Sequence, residues 1–325
     1  MRLGTRNGER MGTLDIIIAL AKIFIIMLPG YIMKKMGILN KQHAEGMSSL
    51  ITNVTFPCLI IVSMQMEFSM EILNNCKNAI LIFSCIIAIT MLIAKIASKI
   101  ANLPPTQSGI FTFMLMFGNT GFIGFPVLSG LFGQEALLYG ALCDAVYNIF
   151  MFTIGIAIIK PGDERRTKQE ILRQTIKESL NPCFFGMIIG LVLFIGQITL
   201  PDIISGPLNS VGNITSPLAM IVIGSHLADM DFRELLRAKH AYIVCLLKLI
   251  ITPAIGLVFV KLIIGTGSLL ASTIIIEAAM PVAMCSVIFS EQYKADVNFA
   301  VKGVMLTTVM CIITIPIFAI LLQYI

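Results

Sequence analysis

Polar residues are sparse along this chain and gather in short clusters between long apolar runs. The runs are continuous rather than alternating. They therefore predict helices and not barrel strands, whose segments alternate over about 10 residues. A helix that crosses a bilayer needs roughly 20 apolar residues. Ten runs qualify, at about 13–36, 47–66, 77–98, 107–131, 136–159, 181–200, 208–228, 240–264, 268–290 and 297–323. The connections are short and leave no room for a folded soluble domain. The longest polar break, KPGDERRTKQEILRQTIKES from Lys160 to Ser179, separates five runs from five. The pattern predicts an N-terminal tail over 1–12 and a five-helix unit over 13–159. A cytoplasmic linker with an amphipathic stretch follows over 160–180, then a second five-helix unit over 181–325.

Composition agrees. The 325 residues are 57% hydrophobic and 13% charged, against about 25% charged in soluble domains, and mean hydropathy is +0.92. Such a chain cannot cover a water-facing surface, which excludes a cytosolic enzyme or a nucleic-acid binder. The expected surround is a lipid bilayer, with no nucleic-acid partner. Seven of the 8 Cys lie inside apolar runs, without CxxC or Cys/His clusters. They read as small apolar residues, with no disulfide framework and no metal site.

The distribution of charge says more than the net +5. With the N-terminus outside, the inner loops and their margins hold Lys34, Lys35, Lys41, Lys95, Lys99, Lys160, Arg165, Arg166, Lys168, Arg173, Lys177, Arg233, Arg237, Lys239, Lys294 and Lys302. The outer loops between spans have only Lys77 and Lys261 nearby. Basic residues favour the cytoplasmic side, so both termini are predicted outside, in a multi-pass protein of the cell membrane. Arg2, Arg6 and Arg10 conflict with this. MGTLDIIIAL opens directly into the first span, so Met11 is expected to be the native start and residues 1–10 an extension. The first span is too long for a cleaved signal peptide and lacks a small-residue cleavage site.

The chain also repeats itself. NVTFPCLIIV at 53–62 is answered by NITSPLAMIV at 213–222, an offset of 160. Phe125-Pro126-Val127 is answered by Met280-Pro281-Val282, an offset of 155. Two matches at nearly one offset point to duplicated halves. Five spans is an odd number, so the second half must enter the membrane inverted, which is a transporter signature. The fourth span contains GNTGFIGFP, residues 118–126, with three glycines and a proline in nine residues. Pro126 interrupts the backbone ladder and suits the start of a new half-helix. In the ninth span Pro281 stands in the corresponding place. Irregular backbone at membrane depth must be buried in protein or line a wet cavity. Inverted symmetry would bring the two breaks together near the midplane, their half-helix N-termini favouring an anion. Simple proline kinks are the plainer alternative.

GNTGFIGFP, EAAMPVAMCSVIFSEQY in the ninth span and NITSPLAMIVIGSHLADMDF in the seventh resemble the auxin efflux carrier family, over roughly residues 13–323. The resemblance implies an all-α integral membrane protein of ten transmembrane helices in two inverted five-helix repeats. The implied fold is similar to bile-acid:sodium symporters. A scaffold of spans one, two, six and seven would face a transport domain, in which broken helices four and nine cross at the substrate site. The plant members carry a large insertion between spans five and six, where this chain has only the linker. In this frame Asn119, Thr120, Gly121, Pro126, Ala279 and Pro281 are candidate substrate-binding residues. By resemblance, the Asn119 side chain helps to hold a substrate carboxylate; otherwise it bonds backbone freed by the break.

Polar residues inside spans are costly and invite functional readings. Asn53 and Asn213, ahead of Pro57 and Pro217, are candidates for substrate contact or for capping a kinked helix. Asp144 and Asn148 share one helix face. Asp144 or Glu277 could carry a coupling H+, ligate Na+, or partner backbone N–H groups. Lys248 could attract an anion, pair with a buried carboxylate, or snorkel toward the inner surface. His226 reads as an interfacial polar residue. No cofactor is expected, and a homodimer is compatible with the sequence. The leading expectation is a secondary transporter, for uptake or efflux of a small organic anion such as a carboxylate or an auxin-like acid, working by alternating access. A ligand-binding sensor or channel-like protein of the same fold is the alternative. A membrane enzyme is disfavoured, because HExxH and paired Asp-rich motifs are missing, and no Walker A pattern offers direct ATP drive.

Overall fold

A computed structural model describes residues 5–6, 9–10, 12–159, 182–229, 235 and 238–324. The predicted linker over 160–180, with its basic residues, lies outside the described residues, as do Arg233 and Arg237. Apart from a two-residue antiparallel pair, Thr5–Arg6 with Glu9–Arg10, the described chain is helical. Among the described residues, seven helices are long and apolar enough to cross a membrane: α1 (Thr13–Lys35), α2 (Lys41–Ser63), α3 (Met70–Ile100), α6 (Glu135–Ile159), α8 (Asp202–Ala228), α9 (Lys239–Ile263) and α12 (Val297–Leu321). Shorter pieces complete the order. They are α4 (Pro105–Met116), α5 (Thr120–Phe132), α7 (Pro182–Ile195), α10 (Leu269–Ala278) and α11 (Cys285–Gln292).

The ten runs thus appear as seven full-length helices and three interrupted or shortened regions. The fourth run is cut into α4 and α5 by Phe117–Asn119. The ninth is cut into α10 and α11 around Pro281. The sixth, as α7, begins at the edge of the described residues.

Local chemistry starts and bends these helices. Asn40, Ser69, Ser268 and Asp296 each accept a hydrogen bond from a backbone N–H three residues on, capping α2, α3, α10 and α12. Proline sets the bends. Wide turns with i→i+5 bonds at Ile51–Thr55, Thr120–Gly124 and Leu247–Ile251 end just ahead of Pro57, Pro126 and Pro253. A proline has no N–H and crowds the preceding turn. A wide turn absorbs that mismatch without ending the helix. A fourth wide turn, Met151–Gly155, has no proline beside it. In α8 the bend falls at Ile214, between Asn213 and Thr215.

The core is apolar and aromatic. Phe83, Phe111, Phe113, Phe117 and Phe125 are fully buried. Many large aliphatic side chains point outward, among them Val192, Leu262 and Ile313. So much outward apolar surface would aggregate in water but suits lipid. Helices α1 and α8 approach until their backbones touch at Gly30 and Gly224. A Cβ on Gly30 would strike the Ile221 carbonyl, and one on Gly224 the Met27 carbonyl. Helix α2 packs on α7 and α8 in the same manner: a Cβ on Gly186 would come within 2.9 Å of Pro57, and one on Gly212 within 2.9 Å of Leu59. Small residues that admit close backbone contact are a main way of packing helices in lipid. Gly30→Ala should therefore destabilise the protein by about 1–3 kcal/mol through overpacking. A lowered melting temperature in detergent would register it; an unchanged value would mean that α1 and α8 are not in close contact.

Candidate functional site

The two breaks pair with each other. Gly118 and Val282 form an antiparallel bridge. The Asn119 N–H donates to the Pro281 carbonyl at 2.7 Å, and the Ala283 N–H donates to the Phe117 carbonyl at 3.1 Å. The Val282 N–H donates to Thr307 Oγ1 of α12 at 3.1 Å. Backbone that leaves a helix must find partners elsewhere, and here each break supplies them to the other.

Asn119 sits at the start of α5. Its Oδ1 accepts from the Phe122 N–H at 3.1 Å, and its carbonyl accepts from the N–H groups of Ile123 and Gly124. It is 6% exposed, so the break is nearly closed to solvent. Thr120 donates its hydroxyl to Asp144 Oδ1 at 2.5 Å. Asn148, one turn along α6, donates its amide to the Asp144 carbonyl and to Oδ2, both at 2.9 Å. Gly121 lies beside this group, where an added Cβ would be 4.0 Å from Asp144 Oδ1. The break on α5 is thereby tied to α6.

Diverting the Asn119 N–H to Pro281 removes the helical partner of the Leu115 carbonyl. Lys248 replaces it: Nζ donates to Leu115 O at 3.2 Å and to the Tyr147 hydroxyl at 3.5 Å. It also lies 5.6 Å from the centroid of the Tyr147 ring. Lys248 is fully buried, so its ammonium does not snorkel. A cation at the C-terminal end of α4 also meets the negative end of that helix dipole.

Glu277 lies at the end of α10, fully buried, and neither carboxylate oxygen has a hydrogen-bond partner among the described residues. Two glycines make room for it. A Cβ on Gly124 would lie 2.7 and 2.9 Å from its oxygens, and one on Gly140 would lie 3.2 Å away. Pro126 and Ala279 are buried at the edges of the two breaks. Gly124→Ala should cost about 1–3 kcal/mol by overpacking against the carboxylate. The double variant Gly124→Ala/Glu277→Ala should recover much of the loss, read as melting temperature in detergent. No recovery would place the strain elsewhere.

Asn53 and Asn213 lie apart from this cluster. Both are exposed. Asn53 donates to the Ser49 carbonyl at 2.8 Å, and Asn213 donates to the Asn209 side chain at 3.2 Å. Three participants carried weaker sequence signals. Tyr147 lies between Asp144 and Asn148, Thr307 belongs to a Thr-Thr pair in an apolar run, and Gly140 is one small residue among many.

A family model described as membrane transport protein matches residues 15–319. The chain belongs to this family, that of the auxin efflux carriers. An uncharacterized transporter of Methanocaldococcus jannaschii is 26% identical over 90% of this chain and 94% of its own length. One of Methanothermobacter thermautotrophicus is also 26% identical, over 96% and 99%. A probable auxin efflux carrier component 9 of Oryza sativa subsp. japonica is 28% identical over 38% of this chain and 29% of its own. With its long apolar helices, this member of the family is a multi-pass membrane protein of the membrane transport class.

Proposed function

We propose that this family member is a secondary transporter of a small organic anion, with substrate bound where α4/α5 and α10/α11 cross. The supporting observation is the backbone pairing of the two breaks in a buried, polar interior. Broken helices whose termini meet in the protein interior are a recurring substrate site in carriers. In this reading the chain forms ten spans in two inverted five-helix repeats. The glycine-packed helices α1, α2, α7 and α8 serve as scaffold, and the remaining helices move against them. Asn119, Thr120, Gly121, Pro126, Ala279 and Pro281 form the substrate site. Asn53 and Asn213 bond within their own helices, to the Ser49 carbonyl and the Asn209 side chain, which supports a local role for both over substrate contact.

Lys248 supplies the positive charge that favours an anion nearby. Glu277 is the coupling site, because an ionised carboxylate buried without a donor costs several kcal/mol. A proton or Na+ at Glu277 offsets that cost, and alternating access would release the ion with the substrate. The protein sits in the cell membrane with both termini outside.

Counterflow in proteoliposomes tests the reading, with malate and indole-3-acetate as labelled probes. Saturable uptake accelerated by unlabelled probe inside is expected. Unsaturable conductance would make the protein a channel, and binding without flux would make it a sensor.

A further inference from the structure

Two carboxylates and one ammonium share the buried interior beside the breaks. Asp144 of α6 is held by two donors, Thr120 and Asn148. Glu277 of α10 has none among the described residues, and both its oxygens are sealed from solvent. Lys248 of α9 attracts the Glu277 carboxylate, and Asp144 repels it. From α6, Tyr147 and Cys143 also lie within electrostatic reach of Glu277. Helix α5, over Thr120–Phe132, carries no titratable side chain. The charged groups of α3 and α12 lie toward the helix ends, at Glu71, Lys77, Lys95, Lys99 and Lys302, and the middles of these helices offer only Cys85 and Cys311.

These charges do not balance. One ammonium faces two carboxylates, and an organic anion at the adjoining breaks would add a third negative charge. Asp144 keeps its donors, so the excess falls on Glu277. An anion that draws on the Lys248 ammonium leaves Glu277 as a buried charge without compensation, which is strongly unfavourable. A proton removes that charge, because one carboxylate oxygen and H+ become a single O–H. A hard cation such as Na+ would instead require a shell of oxygen ligands. The Glu277 oxygens are walled by Gly124 and Gly140, where an added Cβ would come within 3.2 Å of them. Leu128 and Phe125 pack against the same Gly140. The Lys248 ammonium also disfavours a second cation beside it.

We propose that Glu277 takes up a proton, and not Na+, when an organic anion binds at the breaks, and that proton and anion cross the membrane together. The inference deepens the carrier reading and rests on it for the anion. The proton leaves to water as the anion departs, and the carboxylate is then again attracted by Lys248.

Infrared spectroscopy reads the acid form, because a protonated carboxyl has its own carbonyl band. The difference between the purified full-length protein and Glu277→Gln should show that band growing as pH falls. At fixed pH the band should grow when indole-3-acetate is added, and exchanging KCl for NaCl should leave it unchanged. Anion and proton strengthen each other's binding reciprocally. The Kd for indole-3-acetate should therefore fall by up to tenfold for each unit by which pH is lowered, and Glu277→Gln should lose that dependence. The absence of the acid band at every pH at which the protein stays folded would overturn the proposal, as would a pH-independent Kd in the unmodified protein. A rise in melting temperature specific to NaCl over KCl in the unmodified protein, the mark of a bound Na+, would overturn it without any variant. Saturable counterflow under those outcomes would leave the carrier reading standing. Proton uptake on binding of indole-3-acetate, without flux, would end the carrier reading and uphold the linkage of proton to anion at Glu277.

Discussion

Lys248→Met should be the most damaging single change in the membrane interior. The substitution keeps an apolar stem and removes the ammonium. The Leu115 carbonyl then loses its donor at the end of α4. Glu277, fully buried and without a hydrogen bond among the described residues, loses the electrostatic attraction of Lys248. Leaving the buried Leu115 carbonyl without its donor costs about 1–3 kcal/mol, and losing the ammonium's attraction for the Glu277 carboxylate adds to it. The expected result is a large drop in melting temperature in detergent and poor recovery of monodisperse protein. Adding Glu277→Gln should return part of that stability, because the stranded charge is gone while the orphaned carbonyl remains. Wild-type stability in Lys248→Met would mean that Lys248 does not hold the break closed.

Asn119→Ala has two separable effects. The first is structural. Asn119 caps α5 by accepting from Phe122, and losing such a cap costs about 0.5–2 kcal/mol. The second is on binding. A hydrogen bond to a charged partner contributes about 1.5–3 kcal/mol, or roughly 10- to 150-fold in affinity. Asn119→Asp separates them, since it keeps the capping oxygen and loses the amide donor. Alanine should lower both stability and substrate binding, whereas aspartate should keep the stability and lose the binding. Thermal-shift titration with a transported carboxylate reads both effects. Unchanged affinity in both variants would remove Asn119 from the substrate site.

The interruptions of the helices were legible because they use strong local signals. Pro126 with Gly118, Gly121 and Gly124, and Pro281 at a matching offset, mark broken backbone without any knowledge of neighbours. Pro57 likewise marks a bend, although the wide turn ahead of it follows from hydrogen-bond geometry that composition does not encode. The partner of Lys248 was not legible. Leu115 is 133 residues away, and its carbonyl is available only because the Asn119 N–H turns to Pro281. Glu277 stood out as an acidic residue in an apolar run, but its isolation depends on two glycines from α5 and α6 arriving around it. Asn53 and Asn213 show the opposite limit. Their repeat is plain in the sequence, yet which face of a bent helix they occupy depends on its packing. Both face outward and serve their own helices.

The antiparallel contact between the breaks uses main-chain atoms alone, from Phe117 and Asn119 to Pro281 and Ala283. Such a clasp is indifferent to most of the side chains it carries. Mutation can therefore exchange the groups around it without unfastening the two halves. Ligand preference can thus change by side-chain substitution while the backbone pairing of the breaks stays in place.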